Sequence, residues 1–176
     1  TIHSIINQIY TDWELIIVDD GSTDTSIKIV EKYVQADNRI KFYRRDMSPK
    51  NANTCRNIGI EKANGKYLVF LDADDILDAD CLKNRVEFME NMNELDFSVF
   101  PMASFRSEVN RCENVWLPIK RNALERFLSH DLPWTIMQPI WKKESFSNLK
   151  GFDEKFLRMQ DVELHTRALF SGLKFD

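Results

Sequence analysis

Ile2, Ile5, Ile6 and Ile9 recur at i, i+3, i+4 and i+7, one stripe of an amphipathic helix, and Thr11-Asp12 interrupts it. Glu14-Leu15-Ile16-Ile17-Val18 is instead a continuous, β-branched run that stops at Asp19-Asp20-Gly21-Ser22, which predicts a strand buried on both faces and followed by a turn. Asp24 is placed to cap the next helix, whose apolar face carries Ile27, Val30 and Val34, and residues 40–43 read as a second strand, completing a βαβ unit. Residues 52–63 predict another helix with Gly65 just past its end. Residues 66–71 form a third apolar run that again discharges into acid, Asp72-Ala73-Asp74-Asp75. Leu82, Val86 and Met89 mark a further helix, and residues 97–105 a further strand. Beyond Arg106 the pattern is weaker: residues 122–128 read as a helix, 136–141 as a strand broken by Pro139, and 162–169 as a last helix stopped by Gly172. Strands alternating with helices predict an α/β architecture with a mostly parallel, Rossmann-like sheet flanked by helices, without repeats or linkers, in one domain over residues 1–176.

Composition narrows the ligands more than the fold. Hydrophobic residues at 43% and charged residues at 30% are those of a globular chain with one core, and the 176 residues suffice for one such domain. A formal net charge of −4 argues against a broad electrostatic grip on nucleic acid. Cys55, Cys81 and Cys112 are odd in number, far apart and never in a CxxC pair, so neither a disulfide framework nor a zinc knuckle is expected and a reducing, cytoplasmic setting fits. No apolar run approaches the roughly 20 residues of a membrane-spanning helix. The chain opens on Thr1 with a helix already under way, and reads as a piece of a longer polypeptide.

Two buried-type strands each end in paired carboxylates, Asp19-Asp20 and Asp72-Ala73-Asp74, and parallel strands bring both pairs to one sheet edge, where ligands bind in open α/β sheets. Neither loop carries a basic residue. Like charges so placed need a cation, and carboxylates without His or Cys select a hard ion, Mg²⁺ or Mn²⁺ rather than Zn²⁺. The plainer alternative is that Asp19 or Asp20 caps the turn at Gly21. Trp116, Trp134 and Trp141 offer either sugar-stacking faces or core packing, with Trp134 the best placed for stacking, and His165 reads as a site-edge or surface residue. Met89 and Met92 read as core filler.

From Gln8 to Asp24 the sequence Gln-Ile-Tyr-Thr-Asp-Trp-Glu-Leu-Ile-Ile-Val-Asp-Asp-Gly-Ser-Thr-Asp resembles the opening of a family 2 glycosyltransferase of the GT-A (nucleotide-diphospho-sugar transferase) fold. Arg56-Asn57-Ile58-Gly59, Ala63-Asn64-Gly65-Lys66-Tyr67 and Leu71-Asp72-Ala73-Asp74-Asp75 follow in that family's order, and Gly151-Phe152-Asp153-Glu154 leads to Gln160-Asp161-Val162-Glu163-Leu164. The resemblance implies that Asp19 and Asp20 belong to the nucleotide site, with Asp20 accepting from the base, and that Arg56 lies near the phosphates or base. It further implies that Asp72 lies near the ribose and the metal, that Asp74 ligates the metal, and that Asp161 is the catalytic base of an inverting displacement. A UDP-sugar donor, a glycan or lipid-linked glycan acceptor in cell-surface polysaccharide synthesis, and peripheral association with the cytoplasmic face of a membrane through further segments are implied with it.

Two departures stand out. Family members begin with a strand that is absent before Ile2, and Gln160 occupies a position where an acid commonly precedes the base. Two other activities share this kind of site: a sugar-phosphate nucleotidyltransferase, for which no Gly-rich basic phosphate loop is visible, and a non-catalytic sugar-nucleotide-binding domain, against which Asp161 beside Asp72 and Asp74 argues.

Overall fold

The structure, a computed structural model, describes residues 1–106 and 112–176. In chain order its elements are α1 (Ile2–Ile6), β1 (Leu15–Asp19), α2 (Ser26–Ala36), β2 (Ile40–Arg44), α3 (Ala52–Lys62), β3 (Tyr67–Leu68) and α4 (Cys81–Asn91). There follow β4 (Phe97–Val99), β5 (Met102–Phe105), β6 (Cys112–Trp116), α5 (Ala123–Leu128), β7 (Pro139–Lys142), α6 (Lys143–Asn148) and α7 (Gln160–Phe170).

The amphipathic stripe of α1 ends sooner than its periodicity predicts. Ile9 is exposed, and its N–H leaves the helix to bond the Ala79 carbonyl at 2.8 Å. β1 and β2 pair in parallel, Leu15 opposite Ile40 through Asp19 opposite Arg44, as a βαβ unit requires. Among the described residues β1 pairs with β2 alone, so residues 15–18 are half-buried instead of buried on both faces. Asp24 accepts the Ser26 N–H at 2.9 Å at the start of α2.

β7 lies between β3 and β4 and pairs antiparallel with both. β3 and β4 therefore run the same way, and the segment 174–176 joins β4 in parallel, with Asp96 N donating to Lys174 O at 2.7 Å and Val99 N to Asp176 O at 2.8 Å. β3, β4 and residues 174–176 thus share one direction while β7 runs against them, so both ladders of β7 are antiparallel and the parallel ladder is that of β1 with β2. Pro139 opens β7 instead of breaking it, the one interior-sheet position that costs no ladder bond. The run 97–105 is two strands: Pro101 has no N–H to continue the ladder, so β4 stays in the sheet while β5 turns out to pair with β6. β5 falls within the run expected as one strand, whereas β6 and α6 carry no periodicity that predicted them.

An aromatic cluster anchors the second half of the chain. Phe97 stacks on Trp141 at 4.1 Å between ring centroids, Phe127 meets Trp134 edge-on at 5.0 Å, and Phe146 meets Trp141 edge-on at 5.2 Å. Met89 is fully buried, whereas Met92 is partly exposed. α7 inserts Leu164, His165 and Ala168 into this core, each 0% exposed. The imidazole of His165 is enclosed by Phe127, Trp134 and Trp141, and neither ring nitrogen has a hydrogen-bond partner. Burial pushes it down to about 3, against a weaker opposite pull from the Asp161 backbone carbonyl. His165 is thus a core residue, not a site-edge one, and Trp134 at 1% exposure is core as well.

α3 holds the loop that leads into α7. Asn51 donates to Glu154 O at 2.8 Å, Asn53 to Asp153 O at 2.8 Å and Phe156 O at 3.0 Å, and Asn57 exchanges bonds with Phe152 N and O at 2.8 and 3.0 Å. Three amides thus satisfy backbone groups of a loop that has no ladder of its own. Gly151 has φ 73°, and a Cβ there would stand 2.5 Å from Asn57 Oδ1, so no other residue fits against this amide.

Two outcomes follow. Asn57→Ala leaves the Phe152 N–H and C=O unpaired and should lower unfolding free energy by about 1–3 kcal/mol, with protease sensitivity rising at residues 151–156; urea melts and limited proteolysis measure both. His165 titrates near 6.5 when unfolded and about 3 when folded, so the unfolded chain binds the extra proton between those values and stability falls as pH drops through that window. Between pH 6.5 and 5 this contributes about 2 kcal/mol of destabilisation, which His165→Phe should abolish in urea melts at the two pH values.

Candidate active site

The turn after β1 is built by its own acids. Asp19 accepts the N–H groups of Gly21 at 3.0 Å and Ser22 at 3.1 Å, and Gly21 takes φ 77° to close the turn. Burial of Asp19 opposes its charge, but the Ser22 and Gly21 donors and Arg44 at 3.8 Å outweigh it and hold the carboxyl below its usual range. Asp19 therefore has the turn-capping geometry. Asp20 points the other way: one oxygen accepts from Arg45, the other from Asn51 N at 2.6 Å at the start of α3, and Lys50 Nζ donates to the Asp20 carbonyl. Cations do reach this loop, then, although none lies within it. The parallel register that sets Arg44 opposite Asp19 delivers Arg45 to Asp20, a relation that sequence distance conceals.

The second acidic turn follows β3. Asp75 N donates to Asp72 O at 3.1 Å, folding Asp72, Asp74 and Asp75 into one tight loop with Asp72 and Asp74 exposed. Burial, then the charges of Asp72 and Asp74, push the Asp75 carboxyl above its usual range. Uncompensated negative charge remains here. Among the described residues no three His, Cys, Asp or Glu side chains converge as a complete metal cage. The donor set suits a hard cation held by one or two carboxylates and completed by phosphate and water oxygens, the usual arrangement for Mg²⁺. The residues fit such an ion.

Arg56 joins the two halves of the site. From the middle of α3 it donates to Asp72 Oδ1 at 2.8 Å and to Gln160 Oε1 at 3.2 Å, with its guanidinium 5.4 Å from the Phe152 ring centre. Gln160 opens α7, so Asp161 stands inside the first helical turn, not before it, and its Oδ1 accepts from its neighbour Val162 N at 3.0 Å. The residue preceding α7, Met159, is left-handed at φ 56°, a conformation that costs a non-glycine residue of the order of 1 kcal/mol and sets the direction in which the helix starts. One turn on, Glu163 pairs with Arg167 at 2.6 Å, and Arg167 also donates to the carbonyls of Leu149 and Gly151 (2.8 Å), tying α7 to the loop before it.

Around α3 the fold thus brings together Asp20, Arg56, Asp72 and Gln160, next to Asp161. Arg45, Lys50 and the amides Asn51, Asn53 and Asn57 escaped the sequence reading; only Asn57, within Arg56-Asn57-Ile58-Gly59, stood in a motif that could have marked it. Trp134 and Trp141 pack in the core, leaving Trp116, 47% exposed, as the one tryptophan of the three with a free face. A concavity of about 430 Å³ between Asn57, residues 149–154 and Arg167 is lined by none of Asp20, Asp72, Asp74 or Asp161.

Comparison with known proteins bears on the family and the fold. Over 88 residues the chain is 44% identical to an uncharacterized glycosyltransferase of Haemophilus influenzae, covering 49% of this chain and 34% of that protein. It is 42% identical over 90 residues to TuaG of Bacillus subtilis, a glycosyltransferase ascribed to teichuronic acid biosynthesis, covering 51% of this chain and 35% of that protein. An uncharacterized glycosyltransferase of Methanocaldococcus jannaschii is 29% identical over 180 residues, covering 100% of this chain and 61% of that protein. The chain therefore spans between about a third and three fifths of these relatives. Among solved structures, residues 1–349 of Staphylococcus aureus TarS superpose with a TM-score of 0.75 at 20% identity, covering 95% of this chain and 49% of that one. A Pyrobaculum calidifontis mannosyltransferase, solved with GDP-mannose and Mn²⁺, gives 0.70 at 18% identity, covering 99% of this chain and 48% of that one. These likenesses establish the GT-A fold. The model of the family described as "Glycosyl transferase family 2" matches residues 1–143, which take in both acid-tipped turns and Arg56 and stop short of Asp161. With that much of its length matched, the chain belongs to glycosyl transferase family 2.

Proposed function

We propose that the protein transfers a sugar from a nucleotide-activated donor, a UDP-sugar, to a hydroxyl of a glycan or lipid-linked glycan, with inversion, in cell-surface polysaccharide synthesis at the cytoplasmic face of a membrane. The observation that carries this reading is the convergence on α3, where one arginine links the acidic turn after β3 to the start of the helix bearing Asp161. Family membership supports the reaction class, and the relative ascribed to teichuronic acid synthesis supports the glycan acceptor. The mannosyltransferase solved with GDP-mannose and Mn²⁺ supports a nucleotide-sugar donor and a divalent cation.

In this reading the turn at Asp19 and Asp20 receives the nucleoside. Asp19 shapes the turn through the Gly21 and Ser22 N–H groups, and Asp20, released from Arg45, accepts from the base. Arg56 faces the diphosphate. Asp72 and Asp74 would hold Mn²⁺ or Mg²⁺, which would supply positive charge against the charge developing on a departing diphosphate. Asp161 takes the proton of the acceptor hydroxyl as that oxygen attacks the anomeric carbon. Its place in the first turn of α7 leaves the carboxylate half-exposed and able to meet an incoming hydroxyl. Incubation with a panel of sugar nucleotides and Mn²⁺, with the released nucleoside diphosphate quantified and the product anomer identified by NMR, tests the reaction; absence of transfer or a retained anomer would refute it.

Two substitutions separate the roles. Asp161→Asn keeps shape and removes the proton acceptor, so turnover should fall by roughly 10²–10⁴ with melting temperature and UDP affinity unchanged. Asp74→Ala should erase the difference in UDP affinity between Mn²⁺ and EDTA, measured by calorimetry, because the carboxylate that links cation to nucleotide is gone.

A further inference from the structure

We propose that Arg56 acts as a resident counter-cation of the metal site, holding Asp72 until a nucleotide arrives, so that divalent cation and nucleotide bind cooperatively. The inference rests on the reading of Asp72 and Asp74 as the metal-holding pair. Arg56 is the better fixed partner of the ion pair, its side chain 16% exposed against 49% for Asp72. It is held from three directions, by Asp72 Oδ1 at 2.8 Å, by Gln160 Oε1 at 3.2 Å and by the Phe152 ring at 5.4 Å. A guanidinium does not deprotonate, so its charge cannot be shed when another cation approaches. Gln160 is a neutral amide, which accepts a hydrogen bond without neutralising Arg56, and the full charge therefore bears on Asp72.

Charge counting gives the consequence. Asp72, Asp74, Asp75 and Arg56 together carry two net negative charges, so a divalent cation by itself cancels the excess that would attract it, with Arg56 repelling the newcomer. A diphosphate restores the negative excess and gives Arg56 a new anionic partner as it gives up Asp72. Each ligand then raises the affinity of the other by the same factor, as linkage requires. The tether to Gln160 means that Arg56 exchanges partners while still touching the first turn of the helix that bears Asp161.

The test is Mn²⁺ binding to the whole chain, read by loss of the free-ion EPR signal, with and without UDP. Wild type should bind Mn²⁺ weakly alone and about tenfold or more tighter with saturating UDP. Arg56→Met should bind Mn²⁺ alone about fivefold or more tighter than wild type and lose most of the UDP enhancement. Gln160→Glu, which offers Arg56 a second carboxylate, should also tighten Mn²⁺ binding in the absence of UDP. Arg44→Met, which removes an equal charge beside Asp19, should leave Mn²⁺ affinity unchanged. Unaltered or weaker Mn²⁺ binding by a natively melting Arg56→Met overturns the proposal, as does equal tightening by Arg44→Met. If Arg56→Met fails to fold, Gln160→Glu decides, and unchanged Mn²⁺ affinity there overturns it. Wild type that binds no Mn²⁺ even with UDP refutes the metal-site reading itself, an outcome distinct from failure of the Arg56 proposal.

Discussion

The Arg56 guanidinium meets three segments that have no direct ladder between them: the acidic turn after β3, the aromatic ring of Phe152 and the amide that opens α7. A planar cation with donors on both sides can satisfy two acceptors at once, which a lysine ammonium on a flexible stem does far less well. Remove this group and Asp72, Asp74 and Asp75 face one another with less to offset them, while Gln160 loses its partner. Much of the site geometry depends on that one side chain being where the middle of α3 puts it.

α3 in turn is placed by packing and by amides. It lies against β1, and its N-terminal half lends Asn51, Asn53 and Asn57 to the carbonyls and N–H groups of residues 152–156. A loop without ladder bonds would otherwise leave those groups unsatisfied at a cost comparable to a lost hydrogen bond each. α7 is secured from the opposite side, where Leu164, His165 and Ala168 sit in an aromatic core that excludes water. Asp161 thus projects from a helix whose next turn is immobilised, and the left-handed Met159 fixes where that helix begins. Rigid support of this kind would keep the carboxylate within reach of an acceptor hydroxyl in the role proposed for Asp161, without relying on its own bonds.

Charge is organised by strand register in the same way. The parallel pairing of β1 with β2 sets Arg44 beside Asp19 and Arg45 beside Asp20, so the first acidic turn is balanced by residues about 25 positions away. Among the described residues the second turn has the Arg56–Asp72 ion pair alone. This asymmetry fixes the first turn through its own ion pairs and leaves the second short of positive charge, which fits the divalent cation proposed there.

Short-range pattern settled much of the fold. A continuous β-branched run announced β1 and the short run at residues 40–43 announced β2, helical spacing announced α2, α3, α4 and α7, and the motif order around Asp19-Asp20, Arg56, Asp72-Asp74 and Asp161 identified the family, because those signals are local or tied to fixed positions along the chain. Periodicity was silent on β6 and α6, and Pro101 and Pro139 shifted strand boundaries that hydrophobicity alone could not place, Pro101 by splitting β5 from β4. Tertiary structure alone decided the partners. The reversed strand β7 between β3 and β4, the burial of Trp134 and His165, the capture of Asp20 by Arg45 and the bridge from Asp72 through Arg56 to Gln160 all join residues far apart in sequence. An ion pair or a core contact depends on distance in space, and the sequence lists its members without their separations until backbone pairing and close packing bring them together.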